Sequence, residues 1–564
     1  MERTMLDRRN FMKTAALAAT TGMVKPITVL AANDRKTTGY FGVHPFVEEH
    51  PEAVFIMFTD VDVKTNGDAC KREGRKFAGE VLIPKDESGI PTSRLIPIKP
   101  NITGGGGNEY DSMGIITDPH FVEGVIEGMK TLGITKKQFF IREVNCINWE
   151  KHVYYPIARR TGADLHNMNG RVSGIDNERL SAWSRNNAVI DDSELQWVDV
   201  PGGVVFRKIP YLRPINSPDT FLLNIAKFKA HEMGLTLCCK NMQGAVANGY
   251  QHLCQKIGSV MTLPPEHRNP DVEKYYEASM KRHVATLPRW DRPINTDSSS
   301  RDIRDIYDPV CQEIWSHRTL DSLSVTKFGL CIIEGIYGRD GDFGRGPNPE
   351  GNENNPRGQA WDYMTNILIF GMDPFRVDLV GKWLGGHEPG NFGFFHIAME
   401  RGMLNVLNPM NIQVYHWGNS QAIRKPLTWF ERTPLKSFYL QKNYGGGNEP
   451  FWHLVDEPFD YNTVNEEKPV YPSKPGARVF TQTSQTASYP KVSIEYSVPE
   501  KGNVMLEILN GKGETVVVPV IAIRDRGYHL TSWDTSAYDS GSYAYRFRFK
   551  DFSETREIKL QKSS

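Results

Sequence analysis

The chain has 564 residues, too many for one ordinary core, and at about 100–200 residues per domain two or three domains are expected. Lys plus Arg number 67 and Asp plus Glu number 67, a balance without the long-range basic field that nucleic-acid binding uses. No apolar stretch approaches the roughly 18–20 residues of a membrane span, and seven cysteines in a chain of this length do not make a disulfide scaffold.

The first informative segment is Asp7-Arg8-Arg9-Asn10-Phe11-Met12-Lys13, followed by a weakly apolar stretch from Ala15 to Val24 and by Lys25-Pro26. Paired arginines, a Phe two positions on, a Lys and a modest apolar region resemble a twin-arginine export signal. Cleavage is expected near Ala31 or Ala32, so residues 1–32 form the signal and the twin-arginine translocase is a partner during export. These residues carry five basic and two acidic side chains, which leaves 67 − 5 = 62 basic and 67 − 2 = 65 acidic residues, a net of about −3. The expected location is periplasmic or cell-surface, and because such export moves folded proteins, a cofactor acquired beforehand is plausible chemistry.

Residues 33–425 read as an α/β core with a mostly parallel sheet. Thr117-Asp118-Pro119 supplies a helix start, and Phe121, Val122, Val125, Ile126 and Met129 form a helical stripe. Gly133 stops the helix, and Phe139-Phe140-Ile141 follows as a buried strand. The unit recurs as the strand Ile367–Phe370, the turn Gly371-Met372-Asp373-Pro374, and a helix through Val377, Val380 and Leu384. Such strand–helix alternation implies an α/β fold. Residues 255–325 carry helix signals and Pro breaks and read as a helical insertion. Residues 426–480, rich in aromatics, Pro and Gly, read as an irregular linker or wrapping segment. From residue 481 to 564, Val492, Ile494, Tyr496 and Val498 alternate with polar residues, as do Tyr543, Tyr545, Phe547 and Phe549. Period-2 alternation with short turns predicts an antiparallel β-sandwich of about seven strands. This stretch is similar to the immunoglobulin-like domains that end many exported bacterial proteins and to the one in flagellar hook-capping proteins.

Five segments could carry chemistry. Lys99 and Asn101 stand at a strand end before Gly104–Gly107, where an ammonium and backbone N–H groups can surround an anion; a surface loop is the plainer alternative. In Asn224–His231, a strand places Lys227, Lys229 and His231 on one face, where they lower each other's pKa and favour an anion or a metal. Solvated surface lysines are the plainer alternative, and a helix started at Ser217-Pro218-Asp219 is also open. Lys240-Asn241 before Gly244 suggests a strand end opening to a site, and the adjacent Cys238 and Cys239 read as buried small hydrophobes. Asp340 and Asp342, in a glycine-rich loop after Glu334, are candidate ligands of a hard cation. Asp373 reads as a helix cap or, with Asp378, as a metal ligand.

Together the stretches IPIKPN, GIITDPHFVEGVIEGMKTLG, NIAKFKAHEMGLTLCCKNMQG, EGIYGRDGDFGRGP and ILIFGMDPFRVDLVGKWLGG resemble the domain of unknown function 362 family, over roughly residues 55–405. The resemblance falls on Lys99, Asn101, Lys229, His231, Lys240, Asn241, Gly244, Asp373 and Asp378. Many relatives carry a cysteine-clustered ferredoxin-like segment. Here Cys70, Cys146, Cys254, Cys311 and Cys331 stand alone, so an iron–sulfur cluster is not expected. The spacing of His231 and Lys240, followed by glycine, is also similar to lactate-racemase-type enzymes, which hold a nickel-pincer nucleotide on a lysine. Two function classes follow. In one, the core is an exported enzyme acting on a small anionic molecule, with His231, Lys229 and Lys240 catalytic and Lys99, Asn101, Lys227, Asn241 and Gly244 binding. In the other, the protein is a non-catalytic exported binding or surface-assembly protein. Convergence of His231, Lys240, Lys99 and Asp373 on one place separates them.

Overall fold

The computed structural model describes residues 38–102, 114–144, 153–166, 172–173, 189–231, 234–247, 250, 263–272, 274, 309–341, 360–437, 458–464, 478–481, 491–498, 501–524, 527–535 and 537–560. The expected signal (1–32), the glycines at 104–107, Asp342 and most of the expected linker lie outside them.

The elements of the core, in order, are β1 (Tyr40–Val43), α1 (Pro45–Glu49), β2 (Val54–Phe58), α2 (Gly67–Val81), β3 (Leu82–Lys85), β4 (Ile90–Pro91), β5 (Ile96–Pro100), α3 (Pro119–Lys130), β6 (Phe139–Ile141) and α4 (Tyr154–Thr161). They continue with β7 (Leu195–Asp199), β8 (Lys208–Leu212), β9 (Leu223–His231), β10 (Gly234–Thr236), α5 (Cys238–Asn241), α6 (Pro309–Val325), β11 (Leu330–Arg339), β12 (Asp362–Gly371), α7 (Pro374–Leu384), α8 (Gly393–Glu400), β13 (Val414–Gly418) and β14 (Gln421–Arg424). Nine strands form one sheet in the order β14-β13-β2-β12-β11-β9-β5-β6, with β10 hairpinned onto β9.

The sheet is mixed rather than mostly parallel. The pairs β5/β6, β5/β9, β9/β11 and β2/β13 are parallel. The pairs β11/β12, β12/β2, β13/β14 and β9/β10 are antiparallel. The reversed β12 was hidden from periodicity because it is as apolar as its parallel neighbours, and strand direction leaves no mark on an apolar run.

Alternation along β9 divides two cores. Ala226, Phe228 and Ala230 face one, and Leu223 and Ile225 face the other. The second core is roofed by α2 and α3, which pack at mutual glycines: a Cβ on Gly74 would lie 2.1 Å from the Phe121 carbonyl oxygen, and one on Gly124 2.1 Å from that of Lys71. Asp118 caps α3 by accepting from the Phe121 N–H at 2.9 Å, with Pro119 in the first turn. The Asn224–His231 segment is strand, not helix. Asp219 before it has φ +61° and joins no helix. Of the expected helical insertion, the described residues include the 17-residue α6.

Beyond the core lie β15 (Arg478–Thr481), β16 (Lys491–Val498), β17 (Gly502–Leu509), β18 (Thr515–Arg524), β19 (Gly527–Asp534), β20 (Gly541–Phe549) and β21 (Phe552–Leu560). They form two antiparallel sheets, β15-β16-β19 and β18-β17-β20-β21. Both sheets give side chains to one core that includes Ile494, Tyr496, Trp533, Leu506, Tyr545 and Phe547.

Candidate functional site

Parallel strands β5, β9 and β11 end on the same edge of the sheet, where open α/β sheets place their ligands. The short helix α5 is the hub. Asp378, from the middle of α7, accepts from the backbone N–H groups of Cys238 (2.7 Å) and Cys239 (2.9 Å) and so holds the start of α5. Asn241 donates to the Lys99 carbonyl oxygen (2.9 Å) and to Asn224 Oδ1 (2.8 Å), while Asn224 donates back to the Cys238 carbonyl (2.9 Å). The first lysine is locked inside this lattice. Lys99 Nζ donates to Glu143 Oε2 at 2.6 Å, to the Pro100 carbonyl at 2.8 Å and to Asn241 Oδ1 at 3.1 Å. Both members of the Lys99–Glu143 pair are fully buried. Burial pushes the Lys99 ammonium pKa down, and Glu143 opposes the shift. Gly244 is required here: a Cβ would sit 2.1 Å from Glu143 Oε1.

Lys227 belongs to a separate network on the α3 side of the sheet. Its Nζ pairs with Glu334 at 2.8 Å, both side chains fully buried, and lies 3.5 Å from the centroid of the Tyr337 ring. Glu334 also accepts from the Asp118 N–H at 2.9 Å, and Tyr337 donates to Asp118 Oδ2 at 2.7 Å. Burial pushes the Glu334 carboxyl up despite Lys227.

The remaining cations gather around α5. His231 is 4% exposed, and burial followed by the charges of Lys240 and Lys229 drives its pKa well below the usual imidazole range. Lys229 is buried, Lys240 half-buried. Lys382, one turn after Asp378 on α7, joins them: its Nζ lies over the Phe392 ring at 3.7 Å, and Lys240 is among the charges that depress its pKa. Two buried polar atoms on this edge, Asn101 Oδ1 and Thr236 Oγ1, have no hydrogen-bond partner among the described residues. Thr236 sits opposite Lys229 in the β9/β10 hairpin.

Lys99, Asn241 and Gly244 therefore meet at α5, and His231, Lys229 and Lys240 meet in one electrostatic cluster beside it. Lys227 does not join them. Asp373 caps α7 through the Phe375 N–H (2.8 Å) and ion-pairs with Arg376 at 3.2 Å. Asp340 accepts from the Trp361 N–H (2.6 Å) and the Tyr363 hydroxyl (2.9 Å). Among the described residues no group of three or more His, Cys, Asp or Glu is placed to hold a metal ion. His231, flanked by two ammonium groups, is a poor cation ligand, so these residues do not fit a metal centre. Cys238 and Cys239 are buried thiols, and burial raises both.

Sequence reasoning missed Glu143, Asn224, Tyr337 and Lys382. Lys382 had a signal: Asp378 and Lys382 are an i,i+4 pair in a largely apolar helix. Glu143 had none, because it reaches Lys99 from the segment just after β6, 44 residues away.

A mixed-sheet α/β core followed by two small antiparallel sheets is the class that this fold defines. The family model for a domain of unknown function, DUF362, matches residues 96–382, which is half of the chain and includes the whole α5 cluster. The chain belongs to that family. No curated protein matches it. Among solved structures it is similar to the Ig1 domain of mouse SynCAM 2, with 19% identity over 15% of this chain and 94% of that one, at a TM-score of 0.12.

Proposed function

We propose that this is an exported bacterial protein whose α/β core binds a small anionic molecule beside Lys240, with His231 as the proton-transferring group. One observation carries the reading. Lys240 and Lys382 share a field with Lys229 and His231 on the carboxyl edge of the sheet, and neither Lys240 nor Lys382 has a carboxylate of a described residue within 4 Å. An ammonium group without a carboxylate, such as Lys240, is costly in a low-dielectric setting beside other cations, and an anion relieves that cost. Lys99 and Lys227 already carry their counter-ions, so they position the site rather than hold the ligand. The neutral His231 imidazole is in the right form to accept a proton. Asn101 and Thr236 offer the hydrogen-bonding groups that a ligand would satisfy.

The test is titration calorimetry with inorganic phosphate at low ionic strength. One-to-one binding is expected, weakened at least about tenfold, or about 1.4 kcal/mol, in Lys240→Ala. It should be unchanged in Lys274→Ala, which alters an 82% exposed surface lysine. Equal binding by Lys240→Ala would overturn the reading. Export rests on Arg8-Arg9; an Arg8→Lys/Arg9→Lys double variant expressed in a bacterium should stay in the cytoplasm.

A second reading, a non-catalytic surface-assembly protein, draws on the seven strands β15–β21, which suit an immunoglobulin-like docking module. The residue divisions 33–425, 426–480 and 481–564 belong to this proposal.

A further inference from the structure

Four lysines of the core, Lys99, Lys227, Lys229 and Lys382, are almost wholly buried near the sheet's carboxyl edge, and Lys99, Lys227 and Lys382 are not alike. Lys99 and Lys227 each donate to a carboxylate, at 2.6 and 2.8 Å. Lys382, 5% exposed, does not. Its Nζ rests 3.7 Å from the Phe392 ring centroid and 5.9 Å from that of Phe395. On its other side is the β9/β10 turn, where a Cβ on Gly234 would lie 2.8 Å from Nζ. The charged or titratable groups that face it are Asp378 one turn back, the Cys239 thiol and Lys240. Asp378 spends both oxygens on the N–H groups of Cys238 and Cys239.

We propose that Lys382 is a nucleophilic amine that forms an imine with the aldehyde or ketone carbonyl of a small anion, such as a 2-oxo acid, drawn in by Lys240 and Lys229. This rests on the anion-binding reading above and names its substrate class. In the step, the Nζ lone pair attacks the carbonyl carbon and forms the C–N bond. Both amine protons leave with the carbonyl oxygen as water, so amine plus carbonyl gives imine plus water with no oxidant or reductant. An amine is a nucleophile only when neutral, and an apolar cradle beside another cation is the setting that keeps it so. Consistent with that geometry, burial pushes the Lys382 pKa down to about 7, with Asp378 opposing and Lys240 assisting.

The experiment uses the full chain with glyoxylate and cyanoborohydride at pH 7, read by peptide mass spectrometry, with and without inorganic phosphate. Lys382 should be alkylated at least about tenfold faster than Lys274, whose side chain is 82% exposed. Phosphate should slow the reaction at Lys382 and not at Lys274. Labelling of Lys382 no faster than of Lys274 overturns the imine, whereas anion binding seen by calorimetry would then still stand. Fast labelling that phosphate leaves unchanged keeps the nucleophile and sinks the shared anion site. The readout is on the unaltered protein, so it does not depend on a variant folding. Lys382→Arg, which has no amine able to form an imine under these conditions, should lose the fast label.

Discussion

The Lys227 network and the α5 cluster use the same kinds of side chain to opposite ends. Lys227, Glu334, Asp118 and Tyr337 form a closed set: cation, carboxylates and phenol satisfy one another out of water. Around α5, burial and the positive charges of Lys240 and its neighbours push down the pKa values of His231 and Lys382. The lesson is that a buried lysine by itself says little. A lysine with its carboxylate beside it is architecture, and one without is a candidate for chemistry.

The strongest way to break the comparison is to open the closed set. Lys227→Met leaves Glu334 buried without its cation and should cost about 3–5 kcal/mol of unfolding free energy in urea titration. Lys227→Met/Glu334→Leu together should recover most of that loss. If the single variant is as stable as the parent, the pair is not the strut described here. Next in size is Gly244→Ala, which drives a methyl into Glu143 and should cost about 1–3 kcal/mol by the same measurement, with the Lys99 pair disrupted.

Smaller is Asp373→Ala, which removes a helix cap and should lower stability by about 1 kcal/mol without changing phosphate affinity. A large loss of phosphate affinity would instead return Asp373 to the ligand site. Last is a change of slope. Lys382 is held near 7 in the folded chain and lies near 10.5 when unfolded. Between those values the unfolded chain holds a proton that the folded chain lacks, so stability rises with pH. Lys382→Met should flatten the rise between pH 7 and 9 seen by thermal melting; an unaltered slope would place the depressed group elsewhere.

Much of the core was legible in the chain. Asp118-Pro119 and Asp373-Pro374 start helices as read, because a capping side chain and a Pro act over a few residues. The alternation of Lys227, Lys229 and His231 was legible too, since the strand places them by period 2. Their fates were not. Alternation puts Lys227 and Lys229 on one face, yet β11 bulges between Glu334 and Arg339 as it pairs with β9, and only Lys227 meets Glu334. Glu143 and Lys382 enter from segments distant in sequence, and pairing across such distances leaves no local trace. That Asp378 holds the start of α5 left no local trace either, because α5 lies 140 residues earlier.

The most direct test is the imidazole of His231, followed by NMR in the protein with and without inorganic phosphate. Burial and the charges of Lys240 and Lys229 hold the free protein's His231 neutral well below pH 6.5. An anion seated among those lysines cancels their field, so its pKa should rise on adding phosphate, and should not in Lys240→Ala. A His231 that titrates near 6.5 in the free protein, or that ignores phosphate, would contradict the cation cluster on which the account stands.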